Sequence, residues 1–211
     1  MSKSKERCLI LSACPVSGAM RRYCRPGDWV IACDAGYRNL APLGLSADLL
    51  VGDFDSAPQP QEGQAIVLPH VKDDTDTQYA ARWALEQGCR EAVILGALGG
   101  QRLDHTMASL STGLYLAKQG VQVLLADERT EVRYLLAGQS LELERGDWGY
   151  FSLFPLEGPA HGLTVKGAYY ELEDSSLTPD FPLGVSNEFV SDKVFLSLRE
   201  GSLGVFLVKA D

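Results

Sequence analysis

Through about residue 126 the chain alternates short, almost unbroken apolar runs with stretches of helical periodicity. The runs CLILSA, WVIACD, DLLVGD, AIVLP, AVILGA and VQVLLAD are rich in Val, Ile and Leu and show little polar alternation. Strands covered on both faces have this character, because neither side has to meet water. Two helices are predicted between the later runs. The segment TDTQYAARWALEQG opens at Thr75 with Gln78 three residues on, a capping-box spacing. It lays Ala80, Trp83, Ala84 and Gln87 along one stripe and stops at Gly88. The segment DHTMASLSTGLYLAKQG aligns Met107, Leu110, Ser111, Leu114 and Ala117 and stops at Gly120. Strand, helix and strand in that succession predict a parallel sheet with crossover helices.

After about residue 128 the pattern changes. YFSLFPL, GLTVKG, AYYELE, KVFLSLRE and LGVFLVKA are short strand-like runs separated by Gly, Pro, Asn and Asp, with no helical stretch among them. The predicted class is α/β: a mostly parallel, Rossmann-like sheet with flanking helices over residues 1–128, then an all-β sandwich or barrel over 129–211.

Composition narrows the partners. With 45% hydrophobic and 22% charged residues, the 211-residue chain can bury a core without disulfides or a structural metal. A net charge of −9 repels phosphate backbones, and the longest basic cluster is Arg21-Arg22 with Arg25 nearby. Neither nucleic acid nor a membrane is expected as a partner. The five cysteines are odd in number, include no Cys-x-x-Cys pair and end at Cys89, which reads as reduced thiols in a cytosol. His70, His105 and His161 lie too far apart in sequence to indicate zinc. The apolar run Cys8–Leu11 is too short for a signal peptide, and no stretch approaches the roughly 18 to 20 apolar residues of a membrane span. A cytoplasmic protein is expected.

The strongest chemical signal is a set of acids at strand ends: Asp34, Asp53 and Asp55, then Asp73, Asp74 and Asp76, and finally Asp104. In open parallel sheets ligands bind beyond the carboxyl ends of the strands. In an extended segment Asp53 and Asp55 point to the same side. Two carboxylates about 4 Å apart repel by roughly 4 kcal/mol at an effective dielectric near 20, so several such pairs call for a cation. Carboxylates with open positions suit Mg²⁺, which keeps waters and substrate phosphates in its shell. Taken singly, each of these Asp residues reads as a turn former or helix cap; taken as a set, they favour metal and phosphate.

Phosphate also needs donors. The helix opening at Thr75 presents free N–H groups and about half a positive charge, with Lys72 just before it. Gly96, Gly99 and Gly100 permit close backbone approach, and Arg102 is capable of bidentate contact. Neither a P-loop nor a G-x-G-x-x-G fingerprint is present. His105 reads equally as a base, a phosphate donor or a helix-start residue. Farther on, Tyr169, Tyr170, Ser186 and Asn187 offer an aromatic wall and polar hooks for a flat heteroaromatic ligand, although Tyr on strands and Ser-Asn in turns are as readily structural.

In order, CDAG (33–36), GDFDS (52–56), KDDTD (72–76), GALGGQRLDHTMAS (96–109), GAYYEL (167–172) and GVSNE (184–188) resemble the thiamine pyrophosphokinase family. The resemblance implies an α/β catalytic domain, a β-sandwich and a homodimer, with ATP as pyrophosphoryl donor, thiamine as acceptor and AMP as the leaving product. It implies Mg²⁺ on Asp53, Asp55 and Asp76, with Asp34 and Asp73 close by. Asp104 or Asp76 would be placed to take the hydroxyl proton. Lys72, Thr75, Arg102, Asp104 and His105 would bind nucleotide phosphates or order their loop. Tyr170 would stack on the thiamine ring, and Ser186 with Asn187 would hydrogen-bond its pyrimidine. The chain departs from the family pattern at Ala35 for glycine, at the additional Gln101, and at Ser109 for a frequent Asn. Two other readings of the acids are a different metal-dependent nucleotide-using transferase or phosphatase, and a non-catalytic thiamine or nucleotide sensor.

Overall fold

The computed structural model describes residues 5–53, 65–67 and 74–210. The chain divides into two units, Met1–Glu128 and Arg129–Asp211.

In the first unit the apolar runs form β1 (Arg7–Leu11), β2 (Trp29–Cys33), β3 (Leu49–Gly52), β4 (Ala65–Val67), β5 (Glu91–Leu95) and β6 (Gln122–Ala126). Every pairing among them is parallel, in the order β6-β5-β1-β2-β3-β4. The chain thus winds outward one way from β1 and the other way from β5. Between these two strands lies the topological switch point, where the loops leaving both carboxyl ends diverge and open a crevice. One core cluster joins Leu9, Leu11, Val30, Ala32, Leu50, Val93 and Leu95 to Met20 and Leu43.

A 3-10 turn over Asp34–Asn39 and the short α1 (Leu40–Leu43) connect β2 to β3, while α2 (Asp76–Glu86) precedes β5 and α3 (Leu103–Lys118) follows it. Both helices bury only part of the predicted stripes, Ala80 and Ala84 in α2 and Leu110 and Leu114 in α3, and add positions beside them. In α2 the buried positions are Thr77, Ala80, Ala81 and Ala84. Trp83 is half-buried, stacked on Trp29 at 4.4 Å, and Gln87 is an exposed C-cap. In α3, Met107 is 55% exposed and Ser111 is exposed, while Ser109, Thr112, Gly113 and Leu116 join Leu110 and Leu114 inside. The reason is packing on two sides. Helix α3 touches both α2 and β6, so its buried arc is wide, and small polar residues fill the helix-to-helix seam. There the Thr112 hydroxyl donates to Gln78 Oε1 at 2.8 Å.

At the amino ends of the strands a charged clamp closes the unit. Arg7 pairs with Asp28 and, at 2.8 Å, with Glu91, and donates to the Tyr23 carbonyl at 2.9 Å. Asp28 is buried and also accepts from the Arg25 amide at 2.7 Å.

The second unit contains β7 (Thr130–Leu136), β8 (Ser140–Glu144), β9 (Trp148–Pro155), β10 (Ala160–Lys166), β11 (Leu172–Leu177), β12 (Asn187–Glu188), β13 (Lys193–Ser197) and β14 (Ser202–Lys209). They form antiparallel sheets ordered β12-β9-β14-β7 and β11-β10-β13-β8. Leu135, Phe151, Leu153, Val205 and Leu207 from the first interleave with Leu143, Leu163, Val165, Val194 and Leu196 from the second, the core of a β-sandwich. AYYELE is not a strand throughout: Ala168 makes an isolated bridge to Phe189, the chain bends at Tyr169 and Tyr170, and β11 begins only at Leu172. No described helix is long and apolar enough to cross a membrane, and all five cysteines are free thiols.

Candidate functional site

Asp34 directly follows β2 and opens the 3-10 turn with φ at 43°, a left-handed conformation that Asp tolerates better than most side chains. Its Oδ1 is buried and has no hydrogen-bond partner among the described residues. Glycines press this turn into place. A Cβ at Gly36 would lie 2.1 Å from the Leu11 carbonyl oxygen, and one at Gly52 would lie 3.1 Å from Asp34 Cα. Gly52 therefore lets the end of β3, and with it Asp53, come up beside Asp34. Ala35 needs no left-handed backbone, so its side chain meets no conformational barrier. Asp53 is half-buried. Its neighbour Asp55, and also Lys72 and Asp73, lie outside the described residues.

Thr75 caps α2, its Oγ1 accepting from the Gln78 amide at 3.1 Å, and Asp76 is the first helical residue. Only half of the expected capping box appears among the described contacts, since Gln78 Oε1 receives Thr112. Asp74 pairs with Arg82 beside the helix.

After β5 the chain turns through left-handed Gly96 (φ 69°), Gly99 (φ 73°) and Gly100 (φ 78°). A Cβ at Gly96 would stand 2.6 Å from the carbonyl oxygens of both Ser12 and Cys14. The close approach permitted there is thus to the protein's own loop after β1. Thr106 Oγ1 donates to the Gly99 carbonyl at 3.1 Å and ties the loop to α3. Arg102, just ahead of α3, grips Asp104 with two donors at 2.9 and 2.6 Å, both side chains being exposed. Arg102 holds the Asp104 carboxyl at about 2, well below the ordinary carboxylate range. His105 is exposed on the same turn, and Ser109 Oγ donates to its carbonyl at 2.9 Å.

The second unit gathers the remaining candidates. Asn187 is buried; its Oδ1 accepts from the Tyr170 amide at 3.0 Å and its Nδ2 donates to the Tyr170 carbonyl at 2.8 Å. Its carboxamide thus serves the bend that carries Tyr170. Tyr170 is 63% exposed and meets Tyr169 edge to face at 4.9 Å. Ser186 is exposed with φ at 57°, its amide donating to Ser152 Oγ at 3.0 Å.

Asp34, Asp53, Thr75, Asp76, Arg102, Asp104 and His105 accordingly share the carboxyl rim of the parallel sheet, while Tyr170, Ser186 and Asn187 cluster on the sandwich. Sequence reasoning misses Ser12, Asn39 and Thr77, which bind the loop after β1 to its neighbours. Among the described residues no three acidic, His or Cys side chains converge as a ready ion cage. Mg²⁺ does not require one, since one or two carboxylates with waters and phosphates suffice. The orphaned oxygen of Asp34 beside the Gly52–Asp53 strand end fits such an ion.

Residues 20–125 match the family model described as thiamin pyrophosphokinase, catalytic domain, and residues 139–203 match thiamin pyrophosphokinase, vitamin B1 binding domain. The thiamine pyrophosphokinase of Bacillus subtilis (strain 168) is 28% identical over 181 residues, covering 82% of this chain and 84% of its own length. Its crystal structure superposes with a TM-score of 0.87 at 24% identity, over 97% of this chain and 100% of that one. A thiamin pyrophosphokinase family protein from Enterococcus faecalis superposes with a TM-score of 0.80 at 29% identity, again over 97% and 100%.

Proposed function

The chain belongs to the thiamin pyrophosphokinase family, and from that premise we propose how its own residues carry out the synthesis of thiamine diphosphate from thiamine and ATP. Thiamine's primary hydroxyl attacks the β-phosphorus of ATP. A bond from that oxygen to phosphorus forms, the bond from the β-phosphorus to the bridging oxygen breaks, and AMP departs. Catalysis of this kind works chiefly by positioning and by spreading charge.

The observation that carries the assignment is the buried Asp34 oxygen, without a partner among the described residues, set by glycine packing against the strand end that leads into Asp53. Asp53, Asp55 and Asp76 would hold Mg²⁺, with Asp34 and Asp73 at its margin. The ion, when bound, supplies neutralisation of the triphosphate charge. Thr75 and the first turn of α2 face phosphate, with Lys72 ahead of them in sequence. Arg102 presents its guanidinium to phosphate oxygens, and Asp104 keeps that guanidinium aligned. The ion pair with Arg102 lowers the proton affinity of Asp104, which suits it to orienting that guanidinium. His105 lines the same turn.

Tyr170 provides an exposed aromatic face for the thiamine ring, Asn187 fixes the bend beneath it, and the Ser186 hydroxyl faces the pyrimidine. The exposed Phe181, Leu183, Val185 and Val190 near this cluster in sequence support a homodimer, which buries such side chains. Reduced thiols throughout support a cytoplasmic enzyme.

Incubation with Mg²⁺, ATP and thiamine, followed by separation of the nucleotides, is expected to give AMP and thiamine diphosphate in equal amounts. ADP or free phosphate as product would point to another transferase or a phosphatase, and tight binding without turnover to a sensor. Asp53→Asn is expected to lower turnover at least 100-fold, on the order of losing one transition-state charge contact, with an unchanged circular dichroism spectrum. Wild-type rates in that variant would remove the rim of the sheet from the mechanism.

A further inference from the structure

Ser12 lies one residue beyond β1, at the switch point, and its polar atoms reach three other segments. Its hydroxyl sits 3.0 Å from Thr77 Oγ1 in the first turn of α2, where Thr77 is only 7% exposed. Its amide donates to the Leu95 carbonyl at 2.8 Å, and the Cys14 amide donates to Gly96 at 2.9 Å, so the loop is laced to the strand end that opens the glycine turn. Asn39, buried at the far end of the 3-10 turn that Asp34 begins, completes the attachment. Its Nδ2 donates to the carbonyls of Ser12 and Cys14 at 2.9 Å each, and its Oδ1 accepts from the Val16 amide at 3.1 Å.

The Thr75 cap defines where α2 begins, but being local it does not determine where that beginning stands over the sheet. The Ser12–Thr77 contact joins residues 65 apart in sequence and acts one residue from Asp76. We propose that the Ser12–Thr77 hydroxyl pair, braced by Asn39, is a positioning device that holds the first turn of α2 in register with Asp34 and the glycine turn, and thereby determines affinity for the nucleotide. Ser12 and Thr77 are positioning residues; neither exchanges a proton with substrate. The inference rests on the reading of this rim as the nucleotide site.

The test compares Thr77→Val, which keeps the shape and removes the hydroxyl, with Thr77→Ser, which keeps the hydroxyl. Affinity for α,β-methylene-ATP with Mg²⁺ is measured by calorimetry, beside KM for thiamine and the melting temperature. Thr77→Val is expected to weaken the analogue about fivefold, the scale of one net hydrogen bond, and to leave KM for thiamine unchanged. Thr77→Ser is expected to restore affinity to within about twofold of wild type. Ser12→Ala, an independent route should Thr77→Val not fold, is expected to show the same loss. The double variant is expected to be no weaker than either single one, as for two groups acting through one contact. Thr112→Val removes a hydroxyl contact on the other flank of α2 and serves as the control, with affinity unchanged. Wild-type affinity in Thr77→Val and Ser12→Ala, or an equal loss in Thr112→Val, would overturn the positioning role alone. A wild-type protein that fails to bind the analogue would overturn the nucleotide reading and this inference with it.

Discussion

Arg102 and Asp104 sit two residues apart at the opening of α3 and form a forked ion pair in full view of solvent. Because the pair lowers the Asp104 value in the folded protein, its stabilising contribution is complete above the ordinary carboxylate value of about 3.9 and disappears as pH falls through about 2. The carboxylate is therefore ionised throughout the range in which the enzyme would work. Arg102→Ala is expected to raise Asp104 toward the ordinary carboxylate value in a carboxyl-detected NMR titration; an unchanged value would mean that the fork does not form in solution. The acids of the rim are legible from sequence because a carboxylate at the end of an apolar run is conspicuous wherever the chain goes next. Ser12, Asn39 and Thr77 are not. Asn39 reads locally as an ordinary turn residue, and its partner Ser12 lies 27 positions away, a distance over which periodicity says nothing.

At the scale of elements, strands announce themselves more faithfully than helix faces. All six runs of the first unit form parallel strands; in β1, β2, β3 and β5 burial on both sides leaves little room for polar alternation, while edge strand β4 stays partly open, with Val67 61% exposed. Helix α3 has two neighbours, so a single apolar stripe does not describe it: Met107 lies outside, and Thr112, a polar position, is buried with its hydroxyl on Gln78 of α2. Tyr169 and Tyr170 misled for the opposite reason: their strand propensity was overridden by the bend that Asn187 holds. Glycine supplies the sharpest expectation at this scale. Gly36→Ala would drive a methyl group to 2.1 Å from the Leu11 carbonyl oxygen, at a contact between the 3-10 turn and the end of β1. It is expected to lower unfolding stability by about 2–3 kcal/mol in urea titrations; an undiminished midpoint would show that the turn can lift away freely.

For the molecule as a whole, charge and topology answer different questions. A net charge of −9 draws in a cationic substrate, and thiamine carries a fixed positive charge. Raising ionic strength from about 0.01 to 0.15 M, which shortens the screening length from about 30 to 8 Å, is expected to reduce kcat/KM for thiamine by severalfold with kcat unchanged. Stopped-flow or steady-state rates that ignore salt would refute electrostatic steering. The order of strands, unlike their existence, was not legible, because no local signal records that the chain returns to pair β5 with β1 before continuing outward. That return makes the crevice. It also leaves the clamp of Arg7, Asp28 and Glu91 at the opposite ends of the same strands. The ion-pair clamp and the proposed nucleotide rim therefore lie at opposite ends of the sheet. Loosening that far end, as in Arg7→Ala, is expected to lower the melting temperature while kcat measured well below it stays unchanged.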